Sequence, residues 1–221
     1  MTIEIYGMNA SAPCRILYLT CEALGLEYEE KAVDMMSGGN RTPEYLKMNP
    51  QHTIPTLKDG DFVVNESRAG AAYLVAKYGK DDKLYPKTAE EKAIVDQRLY
   101  FDMGTFYKAF GDCVYPKMFG GAAIGDDKFE RFKEVMGWVN DFIKPTGYVA
   151  GTDHYTLADI CFAATYGTIA ATENFDLTPY SETAAWYEKI KGEIPNFEKA
   201  NGSGAAAFGG WYKMATAPKA E

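Results

Sequence analysis

Three short stretches of this chain carry residue types that could together bind one ligand. The first is Ser11-Ala12-Pro13-Cys14-Arg15, which stands between a short loop and an apolar helix pattern from Ile16 to Leu24. At a helix N-terminus, free N–H groups and the helix dipole favour a bound anion. Serine is also among the best N-cap residues, and capping alone would account for Ser11. A hydroxyl is no general base near neutral pH. As a donor, however, it stabilises RS⁻ over RSH and lowers a thiol's pKa. Lowering by two units takes about 2.7 kcal/mol, within reach of one charge-assisted hydrogen bond and a helix dipole.

The second stretch is Gln51-His52-Thr53-Ile54-Pro55-Thr56. A proline just before a strand fits an edge or bulge position. It also leaves the N–H and C=O of Ile54 free to pair with an extended peptide, with His52 close by as a donor to a carboxylate. The third is Asn65-Glu66-Ser67-Arg68 at the start of a helix. Ordinary capping explains it; so does recognition of an amino acid, with Glu66 on the α-ammonium and Ser67 plus local N–H groups on the α-carboxylate. In sequence these form a row: a thiol site, a backbone-pairing site and an amino-acid site.

The elements that must position them are legible. Ile3–Tyr6 reads as a buried strand, followed by the loop Gly7–Ala10 and a helix ending at Gly25. Tyr28–Val33 reads as a second strand, parallel to the first across the helical crossover. Thr42 caps a short helix with Pro43 at its first position. Thr56–Val64 reads as a hairpin in which Asp59-Gly60 favours a type I′ turn. A third helix runs from about Glu66 to Tyr78. The order is β-α-β-α-β-β-α. A polar connection, Lys80–Thr88, leads into a region with helical spacing only: Glu90 to about Phe119, with a bend expected at Pro116, then Asp126–Ile143, Ile160–Ala171, Thr183–Lys191 and Ala205–Lys213. Thr156-Leu157-Ala158-Asp159 resembles a capping box ahead of a small, apolar and therefore buried helix. Close approach of a neighbouring helix would explain Gly70 inside the third helix.

The 221 residues, 47% hydrophobic and 24% charged, can form a sizeable core. Net charge is −8, which disfavours nucleic acid and anionic membranes as partners. No apolar run approaches a membrane span, and no secretory signal pattern is present. Cys14, Cys21, Cys113 and Cys161 form no C-x-x-C pair, and with two histidines there is no zinc spacing. Reduced cysteines in the core and a cytoplasmic location are expected.

These motifs, with Asn49-Pro50 before Gln51 and with Leu99-Tyr100-Phe101-Asp102-Met103-Gly104-Thr105 and Tyr115-Pro116 later, resemble cytosolic glutathione S-transferases, most closely the delta/epsilon group of arthropods. The resemblance spans nearly the whole chain. It implies a thioredoxin-like α/β domain over residues 1–80, a linker over 81–88 and an all-α domain over 89–221. Ser11 would be the catalytic serine holding the glutathione thiolate. His52, Thr53, Ile54, Glu66, Ser67 and Arg68 would bind glutathione: Ile54 on the cysteinyl backbone beside a cis-Pro55, His52 near the glycine carboxylate, Glu66 and Ser67 on the γ-glutamyl end. Arg68 would assist there or at a dimer interface, and Asp102 would reach the partner subunit's site. Thr156 and Asp159 match the family's structural capping box. Where many delta members carry a second histidine, this chain has Asn40-Arg41.

An apolar acceptor requires an apolar wall. Tyr107, Tyr115, Phe119 and Phe208 are candidates for it. Phe208, Trp211 and Tyr212 share helical spacing, in a tail whose Gly202, Gly204, Gly209 and Gly210 read as a mobile, adaptable segment. The expected protein is a homodimeric transferase of xenobiotic detoxification, needing no metal or cofactor beyond glutathione as co-substrate. The alternatives are a non-catalytic carrier of hydrophobic ligands or a glutathione-dependent peroxidase or isomerase. A thiol-disulfide oxidoreductase is disfavoured, because serine stands where its nucleophilic cysteine would be.

Overall fold

Alternating burial along Ile3–Gly7 (β1) places Ile3 and Ile5 in the core, and the rest of a four-stranded sheet assembles around this strand. The computed structural model describes residues 2–217. Strand order is β2-β1-β3-β4, with β2 over Tyr28–Ala32, β3 over Thr56–Asp59 and β4 over Phe62–Asn65. β1 pairs with β2 in parallel; β1–β3 and β3–β4 are antiparallel. The crossover from β1 to β2 is α1, Ala12–Leu24. It stops at Gly25, whose φ of 66° lets the chain reverse and return N–H groups to the last helical carbonyls. α2 covers Pro43–Met48, with Thr42 accepting from the Tyr45 N–H, and α3 covers Ser67–Tyr78. Gly70 is buried where α3 meets α1, and a Cβ there would meet Leu17 Cδ2 at 3.1 Å. The close approach is therefore to α1.

The hairpin turn differs in type from the expectation. Asp59 pairs with Phe62, so Gly60 and Asp61 form the loop. Only Gly60 has positive φ, 62°, which is the pattern of a II′ rather than a I′ turn.

The connection after α3 is tethered: Pro86 is buried, Leu84 accepts from the Leu157 N–H at 2.8 Å, and Tyr85 donates to Asp96 at 2.6 Å. Six helices follow among the described residues: α4 (Ala89–Phe101), α5 (Tyr107–Gly120), α6 (Asp126–Ile143), α7 (Leu157–Thr172), α8 (Ser181–Glu193) and α9 (Ser203–Thr216). α7 is buried almost throughout, and its N-terminus is closed by Asp159, which accepts from the Thr156 N–H at 2.8 Å and from Trp186 Nε1 at 2.9 Å. One continuous apolar core runs from Ile3 to Tyr212.

Pro116 does not end its helix. α5 continues through Pro116 to Gly120. The register changes at Asp102–Phe106, a wide turn in which the Tyr107 N–H reaches back five residues to the Asp102 carbonyl. A second wide turn, Glu198–Gly202, precedes α9. The tail is also not the loose segment its glycines imply. Phe208 and Tyr212 are buried, and a Cβ at Gly204 or Gly209 would overlap the carbonyl of Asn9 or Ala171. These glycines permit close backbone packing.

Candidate functional site

Strand pairing gathers the three motifs at one end of the sheet. Tyr6 lies opposite Thr56, and Thr56 opposite Asn65. The loop before Ser11, the Ile54-Pro55 segment and the Glu66 turn therefore leave the sheet side by side. Gln51 Oε1 accepts from Asn65 Nδ2 at 2.9 Å, tying the second motif to the third.

Ser11 occupies the N-cap position of α1, with φ −80° and ψ 117°, yet its side chain makes no capping bond. The hydroxyl is thus not spent on the helix backbone, and it stands at the positive end of a helix whose Pro13 has no N–H to satisfy. Cys14 is no rival for the chemistry. Burial pushes its thiol up to about 11, against an opposing influence from the Ser11 hydroxyl. Burial likewise raises Cys21 to about 12 and Cys113 to about 11. All four cysteines are unpaired and buried, and among the described residues no three ligating side chains converge as a metal site.

The segment before β3 is fixed by side chains that grip its backbone. Asn40 Nδ2 donates to the His52 carbonyl at 2.6 Å; Tyr45 Oη and Asn49 Nδ2 donate to the Thr53 carbonyl at 2.6 and 2.9 Å. His52 has a φ of 48°, and the Ile54-Pro55 peptide bond is cis. Neither the N–H nor the C=O of Ile54 pairs with other backbone among the described residues. Asn40 is buried and committed to His52, whereas Arg41 is exposed.

Glu66 is exposed with φ 67° and ψ 99°, a strained conformation for this residue type. Its carboxylate makes no cap bond. Ser67 is buried and its Oγ accepts from Arg68 Nη1 at 3.0 Å. The rest of the Arg68 guanidinium is ion-paired with Asp102, with Nε at 3.1 Å from Oδ2. Asp102 Oδ1 accepts from Thr165 at 2.8 Å. One expectation changes as a result. Asp102 is fully buried and faces Arg68 and Thr165, so it does not reach out to a partner subunit. Arg68 positions Ser67 and is itself turned away toward Asp102.

On the other side of Ser11 lies a cleft of about 110 Å³. All four acceptor-wall candidates, Tyr107, Tyr115, Phe119 and Phe208, line it together with Ser11, Met8, Ala10, Ala12, Thr168 and Trp211. Tyr107 and Tyr115 share a 2.5 Å hydrogen bond between their hydroxyls. Tyr115 stacks on Phe119 at 6.0 Å, and Trp211 meets Phe119 edge-on at 5.7 Å. Phe208 is core as well as lining, while Phe119 is 67% exposed. Trp211 could have been added from its i+3 spacing to Phe208; Thr168, a polar residue on a buried helix, carries no such signal.

Residues 1–76 match the glutathione S-transferase N-terminal domain. Over 97% of this chain and 100% of the other, the fold superposes on a delta-class glutathione transferase of Nilaparvata lugens at 46% identity and a TM-score of 0.94. The chain belongs to the glutathione transferases. Among insect glutathione transferases the likeness extends to an epsilon-class enzyme of the housefly, Musca domestica, with 35% identity, coverage of 97% and 98%, and a TM-score of 0.90. A Drosophila mojavensis homologue solved with bound glutathione matches at 35% identity, coverage of 96% and 97%, and a TM-score of 0.87. For this glutathione transferase, the four-stranded half is thus the thioredoxin-like part and α4–α9 the helical part. No helix among the described residues is long and apolar enough to cross a membrane.

Proposed function

We propose that this glutathione transferase joins the sulfur of glutathione to apolar electrophiles, with Ser11 stabilising the thiolate. The observation that carries this reading is Ser11 itself, its hydroxyl unused as a cap at a helix N-terminus and the residue lining an aromatic cleft. Bound glutathione in the Drosophila mojavensis relative supports the same ligand here. The Ile54 N–H and C=O would pair with the cysteinyl backbone, and His52 and Thr53 would border the glycine end. Glu66 would take the α-ammonium; Ser67, held by Arg68, would receive the α-carboxylate. These contacts deliver the sulfur to Ser11.

The thiol gives its proton to solvent, and the Ser11 O–H donates to the resulting thiolate. That sulfur then forms a bond to an electrophilic carbon. A leaving group departs with its electron pair, or an activated double bond is added across and protonated. Ser11 is neither nucleophile nor base. Acceleration comes from the larger thiolate fraction and from holding two reactants together. The domain division at 80 and 88, a homodimeric state and a cytoplasmic role in detoxification belong to the same proposal.

The test is turnover of a chlorodinitrobenzene-type substrate by wild type and Ser11→Ala. Losing one donor to a developing or resident anion should lower kcat/KM about 100-fold, with the thiol's apparent pKa rising. Full activity and an unchanged thiol pKa in Ser11→Ala would overturn the reading.

A further inference from the structure

Arg15 takes no part in the reading above, yet its setting is unusual. It lies one helical turn after Ser11, on the same face of α1, and long helical side chains lie back over the preceding turn. The residue is 0% exposed. Nη1 donates to Asn201 Oδ1 at 2.5 Å and to the Asn201 carbonyl at 3.3 Å, and Nη2 donates to Thr168 Oγ1. Nε has no partner among the described residues, and no carboxylate there pairs with the guanidinium. Burial lowers its pKa to about 10, so it remains a cation near neutral pH.

The surrounding titratable groups do not balance that charge. Cys14 on α1, Tyr107 and Tyr115 on α5 and Tyr187 on α8 all have raised pKa values and are neutral near pH 7, chiefly because they are buried. Asp102 is paired with Arg68, and Glu198 sits exposed on the second wide turn. A buried cation held by neutral dipoles alone is unfavourable; an anion brought within reach relieves it. Thr168, which accepts from Arg15, lines the cleft with Ser11, Tyr107 and Tyr115.

We infer that Arg15 is the buried counter-charge of the glutathione thiolate, a positioning residue that acts through its field across the cleft wall, since the Thr168 hydroxyl beside it gives its own proton to the Ala164 carbonyl. This rests on the reading that the thiolate sits at Ser11. Thiolate stabilisation is then shared between a donor in contact and a cation one layer behind.

The experiment is a titration of the thiolate absorbance of glutathione bound to wild type, Ser11→Ala, Arg15→Gln, Arg15→Lys and Asn201→Asp, with a thermal melt of each. Arg15→Gln should raise the thiolate midpoint by about one unit, the size expected of a unit charge at roughly 10 Å with an effective dielectric constant of about 20. Asn201→Asp should raise it by a similar amount, because the new carboxylate neutralises the guanidinium without removing it. Arg15→Lys should stay near wild type. A merely structural Arg15 would lower the melting temperature and leave the midpoint alone. Midpoints unchanged in Arg15→Gln and Asn201→Asp, while Ser11→Ala shifts, would overturn the inference and keep the role of Ser11. Shifts in the Arg15 and Asn201 variants without one in Ser11→Ala would remove Ser11 as donor and leave Arg15 as the source. If Arg15→Gln does not fold, Asn201→Asp decides.

Discussion

The polar end of the sheet, from Ser11 through Ile54 to Ser67, is shaped by backbone; the aromatic wall on α5 and α9 is shaped by side-chain packing. At the first, His52 and Glu66 hold positive φ, Pro55 is cis, and Asn40, Tyr45 and Asn49 fasten main-chain carbonyls. At the second, Tyr107, Tyr115, Phe119, Phe208 and Trp211 touch ring to ring. Hydrogen bonds depend steeply on geometry, whereas apolar contact is non-directional and tolerates exchange of shape. The difference suits the proposed division of labour, in which one end recognises a tripeptide and the other accepts varied apolar partners.

Substitutions can break or sharpen that contrast. The largest effect should come from Asp102→Ala, which strands Arg68 as a buried charge and frees Ser67. Loss of about 4 kcal/mol in stability is expected from denaturant unfolding, with a raised KM for glutathione. Phe208→Ala should cost about 3 kcal/mol, since Phe208 is core as well as wall; a larger loss than at Asp102 would invert the contrast.

Acid should separate the two regions next. Asp59 is raised by burial, but hydrogen bonds from Lys77, Tyr78 and Tyr73 outweigh this and bring it down to about 2. Those donors lie on α3, so Asp59 ties β3 to the helix that carries Ser67. Its folded pKa is below the unfolded value of about 3.9. The contribution is therefore present above pH ~4 and lost as pH falls toward 2. It amounts to about 1–2 kcal/mol after screening at the half-exposed Lys77. Hydrogen exchange should show α3 loosening before α5 between pH 4 and 2, and Asp59→Asn should abolish the difference. The smallest effect is expected for Phe119→Ala: stability within about 0.5 kcal/mol, with KM for apolar acceptors altered and KM for glutathione unmoved. A change in the latter would mean that the two regions are not separable.

Local chemistry made much of this legible beforehand. Gly25 as a terminator, Thr42 and Asp159 as caps, and the hairpin all follow from signals within four residues. Four of the cleft's five aromatics followed from helical spacing. What escaped depends on contacts distant in sequence. The wide turn at Asp102–Phe106 adds a residue to a helical turn without a composition of its own. The turn type at Gly60-Asp61 depends on strand register. Gly204 and Gly209 looked like sources of looseness because the backbones pressed against them come from Asn9 and Ala171. Arg15 gave no sign of burial, since an arginine one turn into a helix is ordinarily a surface residue.

Those two glycines set the aperture of the cleft. α9 leans directly on the loop that leads to Ser11 and on the last turn of α7, with no side chain as spacer. A methyl group at either position would act as a shim, lifting Phe208 and Trp211 away from Ser11 together. The rim at Phe119 is free to vary with the acceptor, whereas the hinge line along Gly204 and Gly209 is not. Divergence in acceptor range is therefore expected to accumulate at the rim while the seat of α9 stays fixed.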